Sequence, residues 1–413
     1  MLTQSSGNIT GKEPLYKTIA ILGAFCLFLS AVEYMIPKPL PFFRIGLANL
    51  PLMLAIDLFP LPSFLILLCI KVFGQALITG TLFSYVFLFS VTGTFFSALL
   101  MYFLRRSLKK ERVTFIGIGT AGAFVSNLSQ LSLAYFFIFK ENVFYIAPVF
   151  LAAGLVTGIV LGAFCELFAN KSKWYLEEIK NEEENGQSLK NYSQSMSSVS
   201  PVLNFYENIF SAKALFIAGL IIIPAVLFNP SVEFRCLQFL FFWFLAILSG
   251  KKTNPGFTIF ITVFIIAINL LIPYGRVLFY IGDFKITSGA LEAGIHRAVT
   301  LQALVMLSKL TIRHDLKLPG AFGQLLSNSL QYFAVIIGKK HRISGKNPIA
   351  SIDTLMLELN EEQILPIDTA AKKTKAIGYV ILITVIIISW LPWIILYFSL
   401  DSLIAFSFFC KLR

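Results

Sequence analysis

"FFRIGLANLPLMLAIDLF", residues 42–59, sets the class of this protein. The run is apolar except for Arg44, Asn49 and Asp57, so it suits lipid or a core and not a solvated surface. Runs of the same kind recur along the whole chain. Of 413 residues, 57% are hydrophobic and 14% are charged, and the mean hydropathy is +0.78. A soluble domain carries nearer a quarter of charged residues. Phe alone occurs 42 times. No water-soluble fold of this length hides so much apolar surface. The chain reads as an all-α polytopic membrane protein.

A span needs about 20 mostly apolar residues. Working outward from 45–59, the windows 19–36, 62–79, 83–104, 115–139 and 144–168 qualify, which makes six spans in the first part. The opening "MLTQSSGNITGKEPLYK" is polar, and no small-residue cleavage site follows the first apolar run, so that run reads as a retained span. After residue 170 the chain turns charged and then Ser/Asn-rich, as a linker does. This divides the chain into a membrane domain at 1–170, a polar linker at 171–209 and a second membrane domain at 210–413. The second domain offers 214–228, 237–249, 257–273 and 377–398. Residues 289–312 are apolar but carry Glu292, His296 and Arg297, and the mixed stretch 313–374 cannot cross lipid.

Lys and Arg near span ends set sidedness. "RRSLKKER", residues 105–112, is the strongest basic cluster and is expected in the cytoplasm. Counting spans from it places the N-terminus, "NKSKWYLEEIK", "GKKTN" and the 313–374 region on that same side, with "CKLR" outside unless 399–409 re-enters. One orientation thus accounts for every large basic cluster in a cell (inner) membrane. The formal net charge of +12 is explained by these loops, and no nucleic-acid recognition motif accompanies it.

Ionised groups inside a bilayer are costly and usually line a bundle interior or a water path. Glu33, Arg44 and Asp57 fall near predicted span ends, where they either snorkel or face inward. Lys71 falls mid-span in "FLILLCIKVFGQALITGTLF". It either pairs with a carboxylate or meets a ligand, and an anionic or carbonyl-rich ligand suits a buried ammonium. Asn49, Gln75, Asn127 and Gln130 are neutral groups that need partners. Asn127 and Gln130 are three apart and share a helix face. They read either as polar glue between helices or as the floor of a cavity. Gly154, Gly158 and Gly162 in "AAGLVTGIVLGAF" form a close-packing stripe.

Enzymatic signatures are missing from the sequence. It has no GxxxxGK[ST], HExxH, CxxCH, GxSxG or DDxxD. The five cysteines are scattered singly and read as apolar filler, and His296, His314 and His341 are far apart. The carboxylates Glu177, Glu178 and Glu182 to Glu184 form a charge run that reads as solvent-facing. These features argue against an enzyme and call for no metal or cofactor.

"RIGLANLPLMLAI", "KVFGQALITGTLFSYVFLFSVTGTFFSALLM" and "GTAGAFVSNLSQ" occur in order over residues 18–170. In these blocks the chain resembles the Gx transporter family, also called heptaprenyl diphosphate synthase component I. That family looks like the S component of energy-coupling factor (ECF) transporters, a six-helix bundle that binds substrate. The resemblance marks Arg44, Gly46, Asn49, Lys71, Gly80, Gly93, Asn127 and Gln130. Lys71 stands where arginine is expected, and Ser126 where histidine is expected. The substrate-binding residues implied here are Asn49, Lys71, Gln75, Asn127 and Gln130. Residues 210–413 resemble the T component of the same transporters, whose cytoplasmic amphipathic helices join the S component to ATPases. The nearest basic patch is "KKHRISGK", residues 339–346, so Arg313, Lys340, Arg342 and Lys346 are the expected coupling contacts.

Two amphipathic stretches fit that role. Leu325, Leu326, Leu330, Phe333 and Ile337 form one stripe, and "ASIDTLMLELNEEQ" forms a second that Ser351 or Asp353 would cap. They would lie on the membrane surface, bind a partner or pack within the chain. The expected function is a membrane subunit of an ECF-like transporter. It would bind a small hydrophobic or aromatic substrate (a vitamin, a flavin or a prenyl/quinone-related compound) and be driven by separate cytosolic ATPase subunits. The alternatives are a scaffold in a flavin/quinone electron-transfer pathway and a prenyl diphosphate synthase component.

Overall fold

The computed structural model describes residues 13–36, 45–108, 113–184, 209–229, 231–251, 253–313, 316, 318–342, 347–361 and 373–411. Within them the chain is helical almost throughout. Five helical runs are long and apolar enough to cross a membrane: Leu15–Met35, Leu61–Thr79, Tyr85–Ser107, Phe115–Lys171 and Ala376–Ile395. This is an all-α membrane protein with multiple passes.

The N-terminal helices are α1 (Glu13–Met35), α2 (Leu50–Leu58), α3 (Leu61–Thr79), α4 (Tyr85–Ser107), α5 (Phe115–Ala134) and α6 (Val143–Lys171), followed by α7 (Lys173–Glu184). The decisive stretch does not form a full span. Gly46, at φ +92°, turns the chain into a 3-10 turn, Leu47–Asn49, and α2 then runs for nine residues. At 1.5 Å per residue that is about 14 Å, half a bilayer core. Phe59 is extended, and Pro60 ends the segment. All of α2 except Asp57 is buried. It is therefore a plug packed among other helices, which explains an apolar run too short to span.

The 57-residue run Phe115–Lys171 doubles back through a π-helical turn, Tyr135–Phe139, and Lys140 at φ +49°. Here α5 and α6 pack antiparallel because their glycines face each other. A Cβ on Gly158 would lie 2.9 Å from the carbonyl oxygen of Gly119, and one on Gly162 would lie 2.5 Å from Cα of Ile116. The glycine row is a packing stripe, as its spacing suggested.

The C-terminal helices are α8 (Ala212–Leu227), α9 (Val232–Leu248), α10 (Pro255–Asn269), α11 (Ser288–Thr311), α12 (Gly320–Lys339), α13 (Pro348–Glu361) and α14 (Ala376–Lys411). The span expected to end at 398 continues as one helix to Lys411. Between α10 and α11 stands an antiparallel hairpin, β1 (Val277–Ile281) with β2 (Phe284–Thr287), turned by Gly282 at φ +59°. Nothing in the apolar periodicity announced it.

The amphipathic stretches pack within the chain. Helix α12 lies along α1 and also touches α3, while α13 touches α1, α6 and α7. Leu325, Leu326, Tyr332, Ile336, Leu355, Met356 and Leu359 share one apolar core with Ile19, Leu22 and Phe64. The stripe on α12 is set slightly differently from expectation: Ile336 is buried and Ile337 is 40% exposed. Asp353 does not cap α13. Its carboxylate instead accepts from the backbone N–H groups of Lys173 (3.2 Å) and Trp174 (3.0 Å) and from the Ser172 hydroxyl, so it caps α7 from a neighbouring helix. Ser351 spends its hydroxyl on Asn347 O. Glu178, expected in solvent, accepts from the Thr18 hydroxyl.

Two loops at one end of the N-terminal helices meet α11 far apart. Phe83 N donates to Ser308 Oγ at 3.0 Å, whereas Arg297 Nη1 donates to Ile138 O at 3.3 Å. The eleven-position offset from Arg297 to Ser308 covers about 16 Å of helix. Both loops therefore lie against the flank of α11.

Candidate functional site

Seven segments converge on a small internal cavity of about 40 Å³. Its polar lining comes from Glu33 on α1, Asn49 on the 3-10 turn, Lys71 on α3, Thr94 and Ser97 on α4, Ser126 and Asn127 on α5, and Thr157 on α6, whose hydroxyl bonds Gly154 O. Gly158 and Leu161 of α6 close it, and Met53 and Met101 complete the walls. The sequence builds this site by interrupting apolar helices with single polar residues that the packing turns inward.

Lys71 is 2% exposed. Its Nζ donates to Asn49 Oδ1 and to Thr94 Oγ1, the latter at 3.2 Å. The ammonium thus joins α3 to the 3-10 turn and to α4. Glu33 is also buried and accepts from the backbone N–H of Ile45 at 2.9 Å. Asn127 Nδ2 donates to Phe150 O at 2.9 Å across the α5–α6 seam. Gly154 makes that bond possible, since a Cβ there would sit 1.8 Å from Asn127 Nδ2. Ser97 is 1% exposed, and its Oγ has no hydrogen-bond partner among the described residues. A buried hydroxyl without a partner is uncommon and calls for a ligand or a water.

Three of the five expected binding residues, Asn49, Lys71 and Asn127, line this cavity together. Gln130 is fully buried one turn further along α5. Its Nε2 donates to Ser126 Oγ at 3.1 Å, it packs over Gly93, and its Oε1 has no hydrogen-bond partner among the described residues. Gln75 is half-buried one turn from Lys71 and lies outside the lining. Arg44 lies outside the described residues. Thr94 and Ser97 were passed over in the sequence, although Ser90, Thr94 and Ser97 recur at helical spacing on one face of α4 and all three are buried.

Asp57 stands apart from the cavity and pairs with Arg105, at 2.8 Å. Beside them, burial, with the Asp57 charge adding to it, pushes the Tyr175 phenol up, so it stays protonated and donates to Leu54 O at 3.4 Å. This cluster ties the C-terminal ends of α2 and α4 to the start of α7.

The expected coupling residues separate. Arg313 is 4% exposed and donates to Phe210 O at 2.9 Å, so its guanidinium faces the chain's own backbone. Lys340 and Arg342 are exposed at the end of α12, and Arg342 pairs with Glu358 at 3.0 Å. Lys346 lies outside the described residues. The C-terminal helices also bury Arg235, which donates to Thr300 Oγ1 and to the carbonyls of Leu227 and Asn229. Its place in "SVEFRCLQFLFF" was the available signal.

Residues 22–168 match the family described as heptaprenyl diphosphate synthase component I. Residues 212–314 match a family described only as a domain of unknown function. No curated protein and no solved structure matches the chain.

Proposed function

We propose that the helices up to residue 171 bind a small organic substrate around Lys71, and that the rest of the chain couples this binding to separate ATPase subunits. The chain would then be a fused S-like and T-like subunit of an ECF-type transporter. The match of residues 22–168 supports the first part of this reading. The observation that carries it is the buried Lys71 ammonium, held by Asn49 and Thr94 in a cavity that also presents the Ser97 hydroxyl, which has no partner among the described residues. A lysine buried only for structure would more economically be an apolar residue. A lysine that meets an anionic or carbonyl group of a ligand has reason to be there.

The 40 Å³ cavity admits a water or so, and ligand pockets run to about 300–1,000 Å³. This conformation is therefore closed. Met53 and Met101 form adaptable walls that can yield to a substrate. Coupling is supported by α12 and α13, which pack on α1 and carry Lys340 and Arg342 at an exposed junction.

Native mass spectrometry of the gently extracted protein tests both parts. A retained small molecule together with two associated ATPase subunits is expected. Lys71→Met is expected to lose the small molecule while still folding. Equal retention by folded Lys71→Met would remove the site, and the absence of any ATPase would remove the coupling.

A further inference from the structure

A second cavity, of about 450 Å³, lies among α8, α9, α11 and α14. Leu215, Ala218, Phe242, Leu245, Leu307 and Val385 form much of its wall. Among the described lining residues, Ser249 and Thr311 are the only ones with polar side chains. Both hydroxyls are spent on their own helices, Ser249 on Leu245 O and Thr311 on Leu307 O, each at 2.8 Å. The lining therefore offers water no polar side chain left to satisfy, and a cavity of this kind favours an apolar occupant.

One end of the cavity is basic. Gly250 lines it, and Lys251 is the next residue. Ile209 lines it as well, and its carbonyl accepts from the backbone N–H of Lys375 at 3.0 Å. Lys213, Lys373 and Lys375 are exposed at this same end. The other end, at Ile222 and Val385, reaches into the apolar length of α8 and α14. Leu215 to Ile222 alone covers about 10 Å of helix. At about 450 Å³ the cavity is on the scale of a ligand pocket, with room for a stretch of acyl chain. The positive-inside pattern puts the lysines at the cytoplasmic leaflet, where anionic headgroups lie.

We infer that this cavity holds one acyl chain of an anionic phospholipid from the inner leaflet, with its headgroup on Lys251, Lys373 and Lys375. The charge at the mouth and the apolar interior select an anionic amphiphile over a peptide segment or a neutral lipid. The lipid would act as a wedge between α8 and α9 on one side and α14 on the other. The site is separate from the Lys71 cavity, so it stands or falls independently of the proposed transport function.

The test uses the full chain in nanodiscs containing either phosphatidylglycerol or phosphatidylcholine with a diazirine in mid-chain. After illumination, peptides carrying Leu245, Leu307 or Val385 are expected to be labelled several-fold more by the phosphatidylglycerol probe. Each of Lys251→Gln and Lys375→Gln should lower that preference by roughly fivefold and leave phosphatidylcholine labelling unchanged. Ala218→Trp, which fills the cavity, should abolish labelling from both probes. If that variant does not fold, the lysine variants still decide. Equal labelling by the two probes overturns the proposal. So does labelling confined to the outward-facing Ile259 and Val263, or cross-links from the cavity wall to residues 199–208 of the same chain.

Discussion

Arg105 holds Asp57 through two parallel hydrogen bonds, Nη2 to Oδ2 at 2.8 Å and Nε to Oδ1 at 3.2 Å. Nη1 of the same guanidinium donates to Val113 O, and the group lies 4.6 Å over the ring of Phe115. Both side chains are under 10% exposed. One cation thus ties the end of α2 to α4 and to the start of α5. Asp57→Ala would leave the guanidinium buried without its counter-charge, and the expected loss is about 3–5 kcal/mol. Replacing both partners by apolar residues, as in Asp57→Leu with Arg105→Met, should recover most of it. Thermal unfolding of the three proteins in one detergent checks this. A single variant no less stable than the double one contradicts it.

Ser97 leads to a prediction of opposite sign for stability and binding. Its buried hydroxyl has no partner among the described residues, so folding pays for its desolvation without return. Ser97→Ala is therefore expected to leave stability unchanged or raise it by up to about 1 kcal/mol. If a substrate donates to or accepts from that hydroxyl, the same variant should bind it roughly tenfold more weakly, which is the loss of one hydrogen bond. Unfolding and ligand retention measured side by side distinguish the two effects. Weaker binding accompanied by weaker folding would mean that the hydroxyl serves the bundle and not the ligand.

Much of the fold could be read from hydropathy, because an apolar run of twenty residues has few other uses. The glycine row from Gly154 to Gly162 was legible for the same reason, since close helix packing needs small residues at that spacing. What could not be read depends on long-range geometry. Asp57 and Arg105 are 48 positions apart, and nothing local shows that an aspartate at a span end meets an arginine at another. Residues 45–59 read as a span because composition does not reveal that Gly46 takes a left-handed turn and that Pro60 stops the helix early. Within the site, Lys71, Asn49 and Asn127 were conspicuous as polar residues among apolar ones. Thr94 and Ser97 were not, because small hydroxyls bond their own helix so often that their presence carries little signal.

Asp353 connects α13 to α7 through a cap placed in trans. Its carboxylate satisfies the first backbone N–H groups of α7 from its seat on α13. Asp353→Ala removes both an N-cap and an inter-helix tie, so a cost of about 1–2 kcal/mol is expected. Hydrogen exchange should speed up in the first turn of α7 and in α13 together, and remain unchanged at Lys71. Faster exchange in α7 alone would show that the carboxylate caps without joining the two helices.

Gly23 sets how closely α12 approaches α1. A Cβ at Gly23 would lie 2.8 Å from Ser329 Oγ and 2.9 Å from Ile70 Cγ2, and the flanking Ala20 and Ala24 are fully buried. The contact is tight because both helices present small groups where they meet. Gly23→Ala asks the neighbouring side-chain ends to yield by a few tenths of an ångström and should cost little. Gly23→Val adds two further methyl groups to a packed seam, where overpacking costs about 1–3 kcal/mol. The backbone of α12 must then move away from α1. If α12 transmits movement between the bundle and the proposed ATPase subunits, Gly23→Val should retain ligand in the extracted protein and lose ATP-driven uptake in vesicles reconstituted with those subunits. Shortening the facing side chain makes the test specific: Ser329→Gly in the Gly23→Ala background should restore any uptake that Gly23→Ala has lost. Uptake at the normal rate by Gly23→Val would mean that the α1–α12 seam serves assembly alone.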